Sequence, residues 1–148
     1  MRTNFNTLRY LSIYVLDHLK ESKHIEYAVD HRQELIESLA VELGVSFATD
    51  EDIRDQAIEE VEEKFGLDNL PEDITETEMY NHARKEIIKS FQGETLSGIF
   101  MVESLRKVAI RIKTFILNSE LVDDVYGADD EIIQFLVDRL RKFSLRTN

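Results

Sequence analysis

The chain has 148 residues, with 30 acids against 18 lysines and arginines and a formal charge of −12. It contains no Cys, no Trp, one Pro and five Gly. Without Cys there is no disulfide framework, thiolate nucleophile, thiolate-bound zinc or iron–sulfur cluster, and so little Pro and Gly excludes collagen-like and Pro/Gly-rich disordered chains.

An apolar fraction of 43% suits a globular domain. Apolar runs such as residues 99–102 reach only four residues, whereas a spanning helix needs about 20 and a signal peptide an apolar stretch of roughly 7–15. The expectation is a cytoplasmic protein without a membrane segment.

The elements read as helices. Leu8, Leu11, Val15 and Leu19 step by three and four, predicting a helix from about 7 to 21. Ile25, Tyr27 and Val29 alternate with polar residues. With no evident partner strand they read as an extended linker. Asp30 with Gln33 resembles a capping box, Leu35, Ile36, Leu39 and Leu43 form the next face, and Gly44 suits a C′ position.

Thr49 with Asp52 starts a third helix, whose face is Ile53, Ala57, Ile58, Val61 and Phe65, stopped by Gly66. Pro71 lies in the connection, and Thr75 with Glu78 forms a capping box. Met79, Tyr80, Ala83, Ile87, Ile88 and Phe91 make the fourth face. Residues 92–98, with Gly93 and Gly98, mark the clearest internal boundary.

A fifth helix is predicted from about 99 to 117 through Met101, Leu105, Val108, Ile112, Phe115 and Ile116. Gly127 marks a loop, and Asp129 is a candidate N-cap. The sixth face is Ile132, Ile133, Leu136, Val137 and Leu140, with fraying expected after Phe143. The fold expectation is all-α: about six helices in a bundle. A unit at 1–92 includes an acidic helix pair, and a second helix–loop–helix unit spans 93–148.

At an offset of 97, residues 8–43 align without a gap on 105–140. Leu8-Arg9 falls on Leu105-Arg106, Ser22 on Ser119, Glu34 on Glu131, Ile36 on Ile133, Leu39 on Leu136 and Leu43 on Leu140. The loop lengths agree too, which helical periodicity alone does not require. This pattern reads as an internal repeat whose copies cover each other's apolar stripes.

The stretch from Leu8-Arg9-Tyr10-Leu11 to Leu19, then Lys23-His24-Ile25-Glu26, Glu34-Leu35-Ile36 and Met79-Tyr80-Asn81-His82 is similar to a bacterial family. That family is catalogued as domain of unknown function five hundred and seven. The resemblance covers roughly residues 8–92, with a partial second copy at 105–140. It implies a helical fold and supplies no activity, cofactor or site residue.

No chemistry-bearing motif stands out. Glu78, His82 and Glu86 share a helix stripe, but facing Glu and Glu-x-x-His ligands for a di-iron bundle are missing. Asp50, Glu51 and Asp52 open like a calcium loop, yet the required sixth-position Gly and closing Glu are absent. There is no G-x-S-x-G, P-loop or G-x-G-x-x-G. The expectation is a protein that is not an enzyme, with no catalytic residue, cofactor or metal.

The charge is unevenly placed. Residues 42–78 hold 14 acids against Arg54 and Lys64, while the remainder has 16 acids and 16 bases. This points to an interaction module with an acidic surface, whose candidate partner-binding residues are Asp55, Glu59, Glu62 and Glu63. The implied partner is a basic protein, or a sister chain in a homo-oligomer. The alternative is nucleic-acid association through the second unit's Arg106, Lys107, Arg111, Arg139, Arg141, Lys142 and Arg146. A pI near 4.7 opposes it.

Overall fold

The computed structural model describes residues 5–48, 50–65, 75–91, 95–96 and 99–143. Among these residues six α-helices dominate: α1 Phe5–Glu21, α2 Arg32–Leu43, α3 Asp50–Phe65, α4 Glu76–Lys89, α5 Leu105–Asn118 and α6 Asp129–Lys142. Five short strands accompany them among the described residues: β1 Ile25–Glu26, β2 Phe47–Ala48, β3 Thr95–Leu96, β4 Ile99–Met101 and β5 Asp124–Val125. The fold is an all-α bundle whose helices pack mainly in sequential pairs, α1 with α2, α3 with α4 and α5 with α6. No described helix is long and apolar enough to cross a membrane.

The apolar stripes of α1, α2, α5 and α6 converge on one core, joined by Phe47 and Met101. Side chains spaced by three and four must share a helix face, and that face is stable only under another helix. The cover is reciprocal: α2 packs on α5 and α1 on α6. At the offset of 97, Leu35, Ile36, Leu39, Ala40 and Leu43 of α2 correspond to Ile132, Ile133, Leu136, Val137 and Leu140 of α6, and all ten are buried. In α1 and α5, Leu11, Ser12, Val15 and Leu19 correspond to Val108, Ala109, Ile112 and Ile116, again all buried.

A second, smaller core joins α3 to α4. Ala48, Ile53, Ala57 and Ile87 are its buried residues, with Tyr80, Ala83, Phe91 and Phe100 packed around them. The two cores meet at a three-stranded antiparallel sheet of order β2-β4-β3, in which Phe47 pairs with Met101 and Ala48 with Phe100. Alternation sends Phe47 and Met101 to the larger core and Ala48 and Phe100 to the smaller.

Several expectations are corrected. Ile25 and Glu26 are not linker but strand, paired antiparallel with Val125 and Asp124. The partner lies a hundred residues away and is itself only two residues long. Residues 99–101 form β4 rather than the start of α5, because the β-branched and aromatic run Ile99-Phe100-Met101 finds β2 and β3 to pair with. The fifth helix starts at Leu105, where the Ser104 hydroxyl accepts from the Lys107 N–H at 3.3 Å.

Asp30 does not cap α2. It sits in a 3₁₀ turn, Val29–His31, and the N-cap is His31, with no side-chain bond. Ala128 rather than Asp129 is the N-cap of α6. Gly44 ends α2 at φ −57, a right-handed conformation needing no glycine. Ile58 is 40% exposed instead of joining the apolar face. The Thr75 cap is present, its hydroxyl accepting from the Glu78 N–H at 3.1 Å. Thr49, Gly66, Pro71, Gly93, Gly98 and the segment after Phe143 lie outside the described residues.

Candidate interaction surface

Helix α3 carries eight acids against two bases in 16 residues. Its buried contacts come from Ile53 and Ala57, one turn apart, set against Ile87 of α4 and Ala48 of β2. At about 100° per residue, Asp55, Glu59 and Glu62 fall on the opposite side and Glu63 on its flank. All four are exposed. The structure therefore brings the four predicted residues onto one outward stripe, with Ile58 at its rim.

This stripe has an internal electrostatic cost. Asp55 with Glu59 and Glu59 with Glu63 are like charges at i, i+4, each pair opposing the helix by about 0.2–0.5 kcal/mol. Burial of Ile53 and Ala57 holds the helix in place despite that. A cationic surface laid along the stripe, or added salt, relieves the repulsion.

Not every acid of the segment faces outward. Glu42 is half-buried, and its carboxylate lies 3.8 Å from Arg111 of α5. Arg111 also donates twice to Glu103, at 3.0 and 3.1 Å. The buried Ser46 hydroxyl donates to the same carboxylate. These groups tie α2, the β2–β4 sheet and α5 together. Hydrogen bonds from Arg111 hold the Glu103 carboxyl below its ordinary range; burial works against this, and Ser46 and the Lys107 charge add to the lowering.

The basic residues of the second unit divide into two groups. Arg111 is held by Glu103 and Glu42, Lys113 reaches Asp129 at 3.6 Å, and Arg139 lies over the Phe135 ring at 5.3 Å. Arg106, Lys107, Arg141 and Lys142 are exposed. Because α5 and α6 form a hairpin, the first turn of one and the last turn of the other share an end of the bundle. Bases at the last turn of α6 also complement its dipole, as Asp129, Asp130 and Glu131 do in the first turn. Arg146 lies outside the described residues.

Glu78, His82 and Glu86 are all exposed along α4, and Glu86 pairs with Lys89 at 3.6 Å. Among the described residues, no three His, Asp or Glu side chains are grouped to hold a metal.

Sequence reasoning missed the contacts that order the bundle. Arg9 donates to Glu37 at 2.8 Å, and Arg32 reaches Asp17 at 3.3 Å, both joining α1 to α2. Tyr14 donates to the Arg139 carbonyl at 2.8 Å, joining α1 to α6. His24 sits between the units, with Phe135 at 4.7 Å and the Glu131 carboxylate at 3.7 Å. Only the helical phases of Arg9 and Asp17, beside the apolar stripe, hinted at any of these.

No protein-family model matches the chain, and comparison with curated proteins and with solved structures finds no match.

Proposed function

We propose that the protein is a non-catalytic interaction module whose docking surface is the outer stripe of α3, and that its partner is a protein presenting a basic face. The observation that carries this reading is the division of labour on α3. Ile53 and Ala57 anchor the helix, while Asp55, Glu59, Glu62 and Glu63 stand outward and repel one another. Such a field steers a cationic partner and sets specificity more than it supplies affinity. Ile58, apolar at the rim, adds area to the contact.

The test is affinity capture from the source organism's lysate with the wild-type chain and a variant combining Asp55→Asn, Glu59→Gln, Glu62→Gln and Glu63→Gln. The expected result is a basic protein retained by wild type, released by salt and absent from the variant, with circular dichroism unchanged. Equal recovery by both chains overturns the proposal.

The cluster Arg106, Lys107, Arg141 and Lys142 supports a second reading, nucleic-acid association. A salt-sensitive gel shift with RNA or DNA, abolished by changing these four to Gln, would favour it over the first.

The proposal extends to origin. The coincidence of buried positions at the offset of 97 supports descent from one duplicated helix–loop–helix unit, related to the family of unknown function that residues 8–92 resemble. Superposition of 8–43 on 105–140 in an experimental structure tests this, and widely different interhelical angles would refute it.

A further inference from the structure

The contact between the two helix–loop–helix units, residues 8–43 and 105–140, has the form of an interface between identical copies. Nine pairs of its helix positions are buried in both copies at the offset of 97, and its helix contacts are crosswise, α1 on α6 and α2 on α5. The offset exchanges α1 with α5 and α2 with α6, so it turns each of these contacts into the other. The β1–β5 ribbon adds a sharper sign. Glu26 and Asp123 are counterparts at this offset, and they bond directly, the Asp123 N–H donating to the Glu26 carbonyl at 2.8 Å. A residue meets its own counterpart only beside the axis of a two-fold, self-complementary contact.

A self-complementary contact does not distinguish between units of one chain and units of two. We infer that the partner of this surface is also a second copy of the chain: two molecules exchange units, the first unit of one packing on the second unit of the other. Every contact between the two units is then made twice, so the balance between forms depends on concentration and on the connection between units. That connection runs through β2, the α3–α4 pair and β4. It tethers the two copies within one chain and so raises their effective concentration, and the closed monomer prevails in dilute solution.

The ribbon is a weak point in the seam. Glu26 stands directly opposite Asp124, both exposed, and like charges in register oppose strand pairing. The repulsion is the same in the closed and the exchanged form. It therefore eases opening without favouring either product. The inference does not depend on the acidic stripe of α3, so either proposal can fail alone.

Because the chain has no Cys, any introduced thiol reports its own contact. Chains carrying Glu26→Cys alone and chains carrying Asp124→Cys alone are unfolded together, refolded at roughly millimolar concentration and oxidised. Exchange predicts a disulfide between position 26 of one chain and position 124 of another, several-fold more abundant than the 26–26 and 124–124 links. A double variant with both thiols, refolded dilute, should close the same bond within one chain, which checks the register. For the unaltered chain, light scattering after concentrated refolding should show a dimer that reverts slowly on dilution. A monomer at every concentration, or mixed links no commoner than like links, overturns the inference.

Discussion

The four-helix frame and the α3–α4 arm differ in what each is made of. Among the described residues, 24 are buried in the core of the frame and four in the core of the arm. The charge is distributed the other way. The frame uses its ions internally, as in Arg9–Glu37, Asp17–Arg32 and Lys113–Asp129, whereas the arm turns the stripe of α3 outward. The lesson is that stability and surface field can reside in separate parts of a small protein. A helix that contributes little to the core is free to carry repelling charges, because their cost falls on the arm and not on the frame.

The largest expected effect tests the stability side. Leu136→Ala, at a fully buried frame position, should cost about 2–5 kcal/mol and lower the global unfolding midpoint. Ile53→Ala in the arm should instead raise exchange of α3 and α4 amides while leaving α1, α2, α5 and α6 protected. If both variants unfold the chain in one transition of equal loss, the two regions are one cooperative unit and the comparison breaks.

A smaller effect comes from the helix caps, one in each region. Thr75→Ala removes the cap of α4 and Ser104→Ala that of α5, each worth about 1 kcal/mol. Denaturant melts should register the Ser104→Ala loss globally. The Thr75→Ala loss should be visible chiefly as faster amide exchange in the arm. Equal global losses would blur the distinction.

Acid titration probes the joint between the regions. The Glu103 carboxyl is lowered in the fold, chiefly by Arg111, so its contribution is present above its unfolded value and is lost as pH falls through the lowered folded value. Glu103→Gln should therefore destabilise the protein at neutral pH and flatten the acid limb of its stability curve. An unchanged acid limb would show that this cluster does not bear on the joint.

The smallest effect concerns two tyrosines of the frame. Tyr14 donates to the Arg139 carbonyl, whereas the buried Tyr27 hydroxyl makes no well-formed hydrogen bond among the described residues and has the Arg32 guanidinium near it. Tyr14→Phe should cost about 0.5–1.5 kcal/mol, and Tyr27→Phe should be neutral or stabilising. Burial raises both hydroxyls above their ordinary value, so their contribution is fully present below the unfolded value and fades as pH climbs through the folded one. Loss of stability in Tyr27→Phe would show that its hydroxyl does have a partner.

Much of this molecule was legible in one dimension because helices are local. Stripes spaced by three and four located the six described helices, with the start of the fifth set too early, and the Thr75 cap and the outward acids of α3 followed from positions a few residues apart. The chain alone also determined where the charge lies, since that is only a matter of counting along it. What it could not determine depends on partners distant in sequence. Ile25 and residues 99–101 look unremarkable until β5 and β2 supply their hydrogen bonds, and a two-residue strand has no periodicity to read. The ion pairs, the Ser46–Glu103–Arg111 joint and the meeting of Glu26 with Asp123 were likewise decided only by tertiary packing, which brings together groups that no local pattern relates.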